Sequence, residues 1–134
     1  DALVNRWPSL EEQKKASLEM FRNSDFPTFA AGEIEAKYSS PEELRRHFEV
    51  MRDRQDELKS RLRKQLLTVD QAIERLKAVG APVHPSDIDL SREQMRATII
   101  RSQQIRRRYT IFDVAVRMGT MEEWTDRLMN TYFA

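Results

Sequence analysis

The chain reads as an all-α protein of six to eight helices. Three observations predict this. No stretch alternates apolar and polar residues with the period of two that a half-buried strand requires. Several segments instead carry apolar residues at helical spacing, each opened by a Ser or Thr with a Glu, Gln or Asp three residues on. The three glycines and five prolines punctuate the helices.

The elements follow in order. Trp7-Pro8-Ser9 leads into a helix over about Leu10–Arg22, with Leu10, Leu18 and Phe21 as candidate buried positions. Asn23–Pro27 is a loop, and a weaker helix runs from Phe29 to Tyr38 in spite of Gly32. Ser40-Pro41-Glu42-Glu43 is a strong start signal: Ser caps, Pro suits the first helical position and Glu43 closes a capping box. A long helix is expected from Pro41 to Leu66. Its stripe is Leu44, Phe48, Met51, Leu58, Leu62 and Leu66, interrupted at Gln55. Thr68 and Gln71 repeat the capping logic for a short helix with Ala72, Ile73, Leu76 and Val79 on its apolar face, ended by Gly80. A Pro-punctuated loop runs to Leu90. Ser91 opens a helix to about Arg107 bearing Met95, Ile99 and Ile100. Thr110, with Asp113 in third position, opens a short helix stopped at Gly119. Thr120, with Glu123, opens the last, whose stripe is Met121, Trp124, Leu128 and Tyr132.

Composition bounds the function. At 134 residues the chain has the size of one domain, residues 1–134, with enough apolar material (40%) for a core. The 23 basic residues balance 22 acidic ones, so the net charge of +1 gives no reason to expect nucleic acid or an anionic membrane as partner. No apolar run approaches the ~20 residues of a membrane span, and residues 1–30 carry charges throughout, unlike a signal peptide. Cysteine is absent, which excludes disulfides and thiolate metal sites and fits the cytoplasm. A start at Asp1 favours a fragment or processed product.

Few residues carry chemistry. His47 and His84 are far apart, and neither has a partner four residues on, as a helical metal pair requires. His84, Asp87 and Asp89 offer one imidazole and two carboxylates in a short loop; the plainer reading is a Pro-rich loop with a helix-capping acid. His47 is expected beside the stripe of the long helix as a partly buried neighbour of Phe48. Gly32, Gly80 and Gly119 are isolated, so no Gly-rich strand-turn-helix for a dinucleotide is present. Ser and Thr sit mostly at caps. No catalytic, cofactor-binding or metal-ligating residue is assigned.

The arginine cluster is the exception: Arg101, Arg106, Arg107 and Arg108, followed by Tyr109 and Thr110. Successive helical residues point about 100° apart, so three neighbouring arginines cannot serve one site. Arg101 and Arg108, seven apart, would share a helical face, with Arg106 and Arg107 diverging from it. One reading is an anion site, since guanidinium groups fork onto phosphate oxygens. The other is a basic helix end with ion pairs to nearby acids.

Two blocks, Ala78–Arg92 (Ala-Val-Gly-Ala-Pro-Val-His-Pro-Ser-Asp-Ile-Asp-Leu-Ser-Arg) and Ile105–Gly119 (Ile-Arg-Arg-Arg-Tyr-Thr-Ile-Phe-Asp-Val-Ala-Val-Arg-Met-Gly), resemble in order and spacing the far C-terminal part of sn-glycerol-1-phosphate dehydrogenases of the AraM type. These belong to the iron-containing alcohol dehydrogenase and glycerol dehydrogenase superfamily, with its dehydroquinate synthase-like fold. The opening Asp-Ala-Leu-Val-Asn-Arg-Trp-Pro-Ser is similar to the family's helical domain, and the likeness is strongest from about Leu76 to Met129.

The resemblance implies a C-terminal helical part of a larger two-domain oxidoreductase. Such a protein acts on the C2 alcohol or ketone of a three-carbon phosphate with NAD(P) and a divalent metal such as nickel, zinc or iron. The partners implied are an N-terminal dinucleotide-binding domain, the metal-bearing helices and a small phosphorylated polyol; a homo-oligomer is compatible with them. The family's metal is held by one Asp and two His from segments that precede the matched region, so no ligand carries over. Arg108, Tyr109 and Thr110 match its Arg-Tyr-Thr block and, with Arg101, are the residues expected to meet substrate phosphate. A stand-alone helical interaction module is the alternative.

Overall fold

The computed structural model describes residues 1–133, and within them the chain is helical throughout, with no strand. A single turn, α1 (Ala2–Asn5), precedes eight longer helices: α2 (Leu10–Phe21), α3 (Phe29–Lys37), α4 (Pro41–Asp53), α5 (Gln55–Gln65), α6 (Val69–Ala78), α7 (Arg92–Ser102), α8 (Ile111–Arg117) and α9 (Met121–Tyr132). Two 3₁₀ turns, Pro85–Ile88 and Gln103–Ile105, flank α7.

The start signals act as the sequence requires. In α2, α4, α6 and α7 the side chain of Ser9, Ser40, Thr68 or Ser91 accepts from the third helical N–H, and the residue there (Glu12, Glu43, Gln71 or Gln94) accepts from the cap's own N–H. Two glycines stop helices by one device. After α6, Gly80 (φ 68°) lets Ala81 N donate to Leu76 O at 2.9 Å; after α8, Gly119 (φ 68°) lets Thr120 N donate to Ala115 O at 2.9 Å. A left-handed residue with this back-bonding is the Schellman stop, and only glycine takes that φ without a Cβ penalty.

Two apolar groups form the interior. α2 packs on α3, burying Phe21, Ala30, Ala31 and Ile34. α7, α8 and α9 enclose Ile99, Ala115, Met121 and Met129, with Met95, Ile100, Phe112, Val116 and Phe133 packed around them. Arg92 ties α7 to the end of α9: its guanidinium donates to Met129 O at 2.8 Å, which also accepts Phe133 N, and to Phe133 O, a cation at a helix C-terminus. Leu44, fully buried, anchors α4.

Several sequence expectations are corrected. The helix expected over Pro41–Leu66 is two, because Arg54 (φ −117°, ψ 17°) leaves helical geometry. Asp56 and Glu57 open a new first turn there, where acids suit the helix dipole, and Arg54 pairs with Glu57 at 2.8 Å. The stripe therefore does not run into the core as a whole. Leu44 is buried and Phe48 and Met51 are half-buried, whereas Leu58, Leu62 and Leu66 are exposed. Leu76 and Val79 of α6 are exposed too, as is Leu18 of α2, where Ser17 is buried instead. In α9 the buried residues are Met121, Thr125 and Met129; Trp124 and Leu128 each stand one residue, about 100°, from Thr125 and Met129 and, with Tyr132, are partly in water. The Thr125 hydroxyl donates to Met121 O at 2.7 Å, which lets a polar residue occupy that buried face. Finally, α7 ends at Ser102, not near Arg107. The 3₁₀ turn and an extended Arg106 (φ −145°) follow, so Arg106, Arg107 and Arg108 stand on a loop while Arg101 stays on α7.

Candidate functional site

Ionised side chains meet in the interior where α3, the segment after α7, and α8 converge. Lys37, the last residue of α3, places Nζ 2.7 Å from Asp113 Oδ1, with the two side chains 8% and 3% exposed. Lys37 also donates to the carbonyl of Gln103. Asp113 accepts from Gln103 Nε2 at 2.8 Å, and its other oxygen accepts from Thr110 N at 2.7 Å and Thr110 Oγ1 at 3.0 Å. One carboxylate thus starts α8, fixes the 3₁₀ turn after α7 and neutralises the end of α3. Burial alone would raise its pKa; the bonds from Lys37, Gln103 and Thr110 outweigh that and hold it below the ordinary carboxylate value.

One turn along α8, Arg117 is 7% exposed. Its Nη2 donates to Ser39 Oγ at 2.9 Å and Lys37 O at 3.2 Å, and its Nη1 to His47 Nδ1. Its central carbon lies 4.7 Å over the Tyr109 ring, a cation on an aromatic face. Among the described residues no carboxylate lies within 4 Å of it. Because a guanidinium only donates, His47 Nδ1 accepts, and the imidazole is neutral with its proton on Nε2. Burial of part of the ring, then the neighbouring Arg117 charge, hold its pKa below the ordinary value. Burial raises that of the Tyr109 phenol. Trp7 Nε1 closes the group by donating to Ser39 O at 2.9 Å.

A cavity of about 490 Å³ opens onto these groups, lined among others by Arg6, Trp7, Lys37, Gln104, Asp113 and Arg117. A second, apolar groove of about 800 Å³ lies across α4, α5 and α8, walled by Phe48, Met51, Leu58, Leu62, Ile111 and Trp124. Tyr109 and His47 line its edge.

Of the four residues read from the sequence as a phosphate site, Arg108, Tyr109 and Thr110 are consecutive ahead of α8, and Arg101 stands apart. Arg101, on α7, lines a depression with Glu19, Arg22 and Ser24, apart from the groove that Tyr109 lines. The seven-residue spacing that put it on one helical face with Arg108 does not apply, since α7 stops between them. Arg108 is exposed on the loop, and the Thr110 hydroxyl is engaged by Asp113. Of the cluster, Arg107 has a structural partner: it forks onto the buried Glu33 of α3, Nη2 to Oε1 at 2.7 Å, which holds the Glu33 carboxyl below its usual range.

The histidine loop is held by its own acid. Asp87 accepts from Val83 N at 2.9 Å and His84 N at 2.8 Å, while His84 Nδ1 meets Ser86 Oγ at 2.7 Å and its ring packs edge-on against Phe133. No group of three His, Cys, Asp or Glu side chains able to hold a metal ion occurs among the described residues.

Sequence reading passed over Lys37 and Arg117 and saw Asp113 only as a capping acid. The available signal was Asp113 and Arg117 themselves: two charges four apart in the otherwise apolar run Ile111–Met118. That spacing suggests they pair with each other, yet each has other partners. No family model, no curated protein and no solved structure matches this chain.

Proposed function

We propose that this chain is the helical domain of a two-domain oxidoreductase of the glycerol-1-phosphate dehydrogenase type, completing one wall of the active-site cleft and covering the metal-bearing helices. The observation that carries the reading is the outer surface of α5 and α6. Neither helix has a buried residue, and Leu58, Leu62, Leu66, Leu67, Val69, Leu76 and Val79 all face water. Exposed apolar side chains in this number mark a contact with another protein surface. A second domain of the same polypeptide is the simplest occupant, given the likeness of residues 78–92 and 105–119 to that family.

In this reading NAD(P) and the divalent metal are bound outside these residues. The described residues do not fit a metal: no ligand group is present, and each histidine has its Nδ1 engaged by a neighbour. No chemical step is therefore assigned to this chain; its work is to shape the cleft and exclude water. Of the arginine loop, Arg108 is the residue offered to substrate phosphate. The same apolar surface favours the second reading, a helical interaction module without chemistry.

The test is the complete gene product. Its upstream part should contain a Gly-rich dinucleotide fold with a metal-binding Asp and two His. The full-length protein should reduce dihydroxyacetone phosphate with NADH or NADPH in the presence of zinc or nickel, while the chain alone does not. Arg108→Ala should raise KM for the phosphorylated substrate far more than for dihydroxyacetone. An upstream part without those motifs, or a metal-loaded full-length protein without activity, rejects the reading.

A further inference from the structure

We infer that the 490 Å³ cavity is a binding site for a small organic dianion, a phosphate monoester or a dicarboxylate. Its volume is in the range of small-molecule sites. Its lining is electrostatically unbalanced: Arg6, Lys37 and Arg117 supply three positive charges, and Asp113 supplies the one acid. Lys37 and Asp113 neutralise each other at 2.7 Å. That leaves Arg6 and Arg117, neither within 4 Å of a carboxylate among the described residues. A guanidinium held out of water without a counter-charge is unfavourable, and Arg117 is more than nine-tenths buried. Three of its five N–H donations are accounted for by His47, Ser39 and Lys37, and the others are available. Two unneutralised cations match the charge of a phosphate monoester or a dicarboxylate, and the forked geometry of guanidinium suits both.

A further polar group is unmatched. Gln104 lines the same cavity, and its Oε1 is buried with no hydrogen-bond partner. That oxygen has essentially no accessible surface, so it is not offered to a ligand in the cavity. Trp7, Ile34 and Val116 give apolar walls for a short carbon body. The site thus selects a charged head on a compact body. None of this rests on the oxidoreductase reading, since every residue named belongs to this chain.

The probes are ethyl phosphate, succinate and, at matched ionic strength, chloride. Trp7 lines the cavity, and Trp124→Phe leaves its indole as the reporter, so binding is followed by fluorescence and by calorimetry on the chain. The expected result is saturable one-to-one binding of at least one dianion, and the tighter of the two identifies the head group. Arg6→Gln removes a cation with no structural partner and should weaken binding on the order of tenfold or more, as for a lost charged hydrogen bond. Arg127→Gln, exposed on α9 and outside the cavity lining, should leave binding unchanged. Arg117→Gln should abolish it where circular dichroism shows the fold retained; if that variant does not fold, Arg6→Gln decides. The inference is overturned if neither dianion binds beyond chloride, or if Arg127→Gln weakens binding as much as Arg6→Gln. These measurements involve no turnover, so their failure is distinct from an inactive full-length protein.

Discussion

Lys37 and Asp113, 76 positions apart, form an ion pair at 2.7 Å with both side chains almost wholly out of water. It joins the end of α3 to the start of α8, and Gln103 and Thr110 complete the bonding of the carboxylate. The pair is a hinge of the fold, because the helices it connects belong to the two separate apolar groups of the interior.

Breaking that pair from one side should be severe. Asp113→Ala leaves the Lys37 ammonium buried and unpaired and removes the acceptor for Thr110 N. A loss of about 3–5 kcal/mol is expected in urea unfolding, whereas Lys37→Met combined with Asp113→Leu should recover much of it. A loss below about 1 kcal/mol for Asp113→Ala would show that the pair does not hold these helices together.

Acid should destabilise the chain in two separate windows. His47 has a folded pKa below its unfolded value, so the unfolded chain binds more protons as pH drops past the unfolded value, and stability falls. The physical event is protonation of Nδ1, which removes the acceptor facing Arg117 and adds a like charge beside it. Asp113, also lowered, contributes stability that is present above its unfolded pKa and lost as pH falls through the folded one. His47→Gln should flatten the decline in Tm between about pH 7 and 5 and leave the more acidic decline in place. An unchanged profile in that variant would exclude His47 as the group responsible.

Glycine substitutions should differ in sign. Gly119 holds φ 68° at the end of α8, and Gly119→Ala should cost about 1–2 kcal/mol. Gly32 is exposed inside α3, and a Cβ there would meet nothing within 4 Å. Gly32→Ala should therefore stabilise by about 0.5–1 kcal/mol. Thermal unfolding of both variants measures this, and a stabilising Gly119→Ala would contradict the Schellman stop.

The apolar positions of α4 and α5 should divide at Arg54. Leu44→Ala should cost about 2–5 kcal/mol, since Leu44 is fully buried. Leu58→Ala and Leu62→Ala should cost less than about 1 kcal/mol in the isolated chain, because much of each side chain is already in water. Equal losses at Leu44 and Leu62 would place the α5 stripe in the core.

What the sequence made legible was local. Ser9, Ser40, Thr68 and Ser91 marked helix starts because a capping box is complete within four residues, and Gly80 and Gly119 marked stops because a left-handed residue needs glycine. Burial was less legible. Leu58 and Leu62 have the spacing of a core stripe, but spacing does not say whether anything packs against it. The break at Arg54 was hidden because an arginine is an ordinary helix former. The polar interior was least visible: Lys37 and Asp113 meet across 76 residues, and neither carries a local mark of its partner. The resemblance put weight on Arg101 and Arg108, whereas the cations held in the interior are Lys37 and Arg117.

The account turns on the claim that α5 and α6 are built to be covered by a second domain. Amide hydrogen exchange over residues 55–78, in the isolated chain and in the complete gene product, tests it most directly. With no buried residue in either helix, exchange in the isolated chain should be fast. In the complete protein it should slow by about tenfold or more, corresponding to at least 1.4 kcal/mol of added protection. Equally fast exchange over residues 55–78 in both proteins would contradict the account.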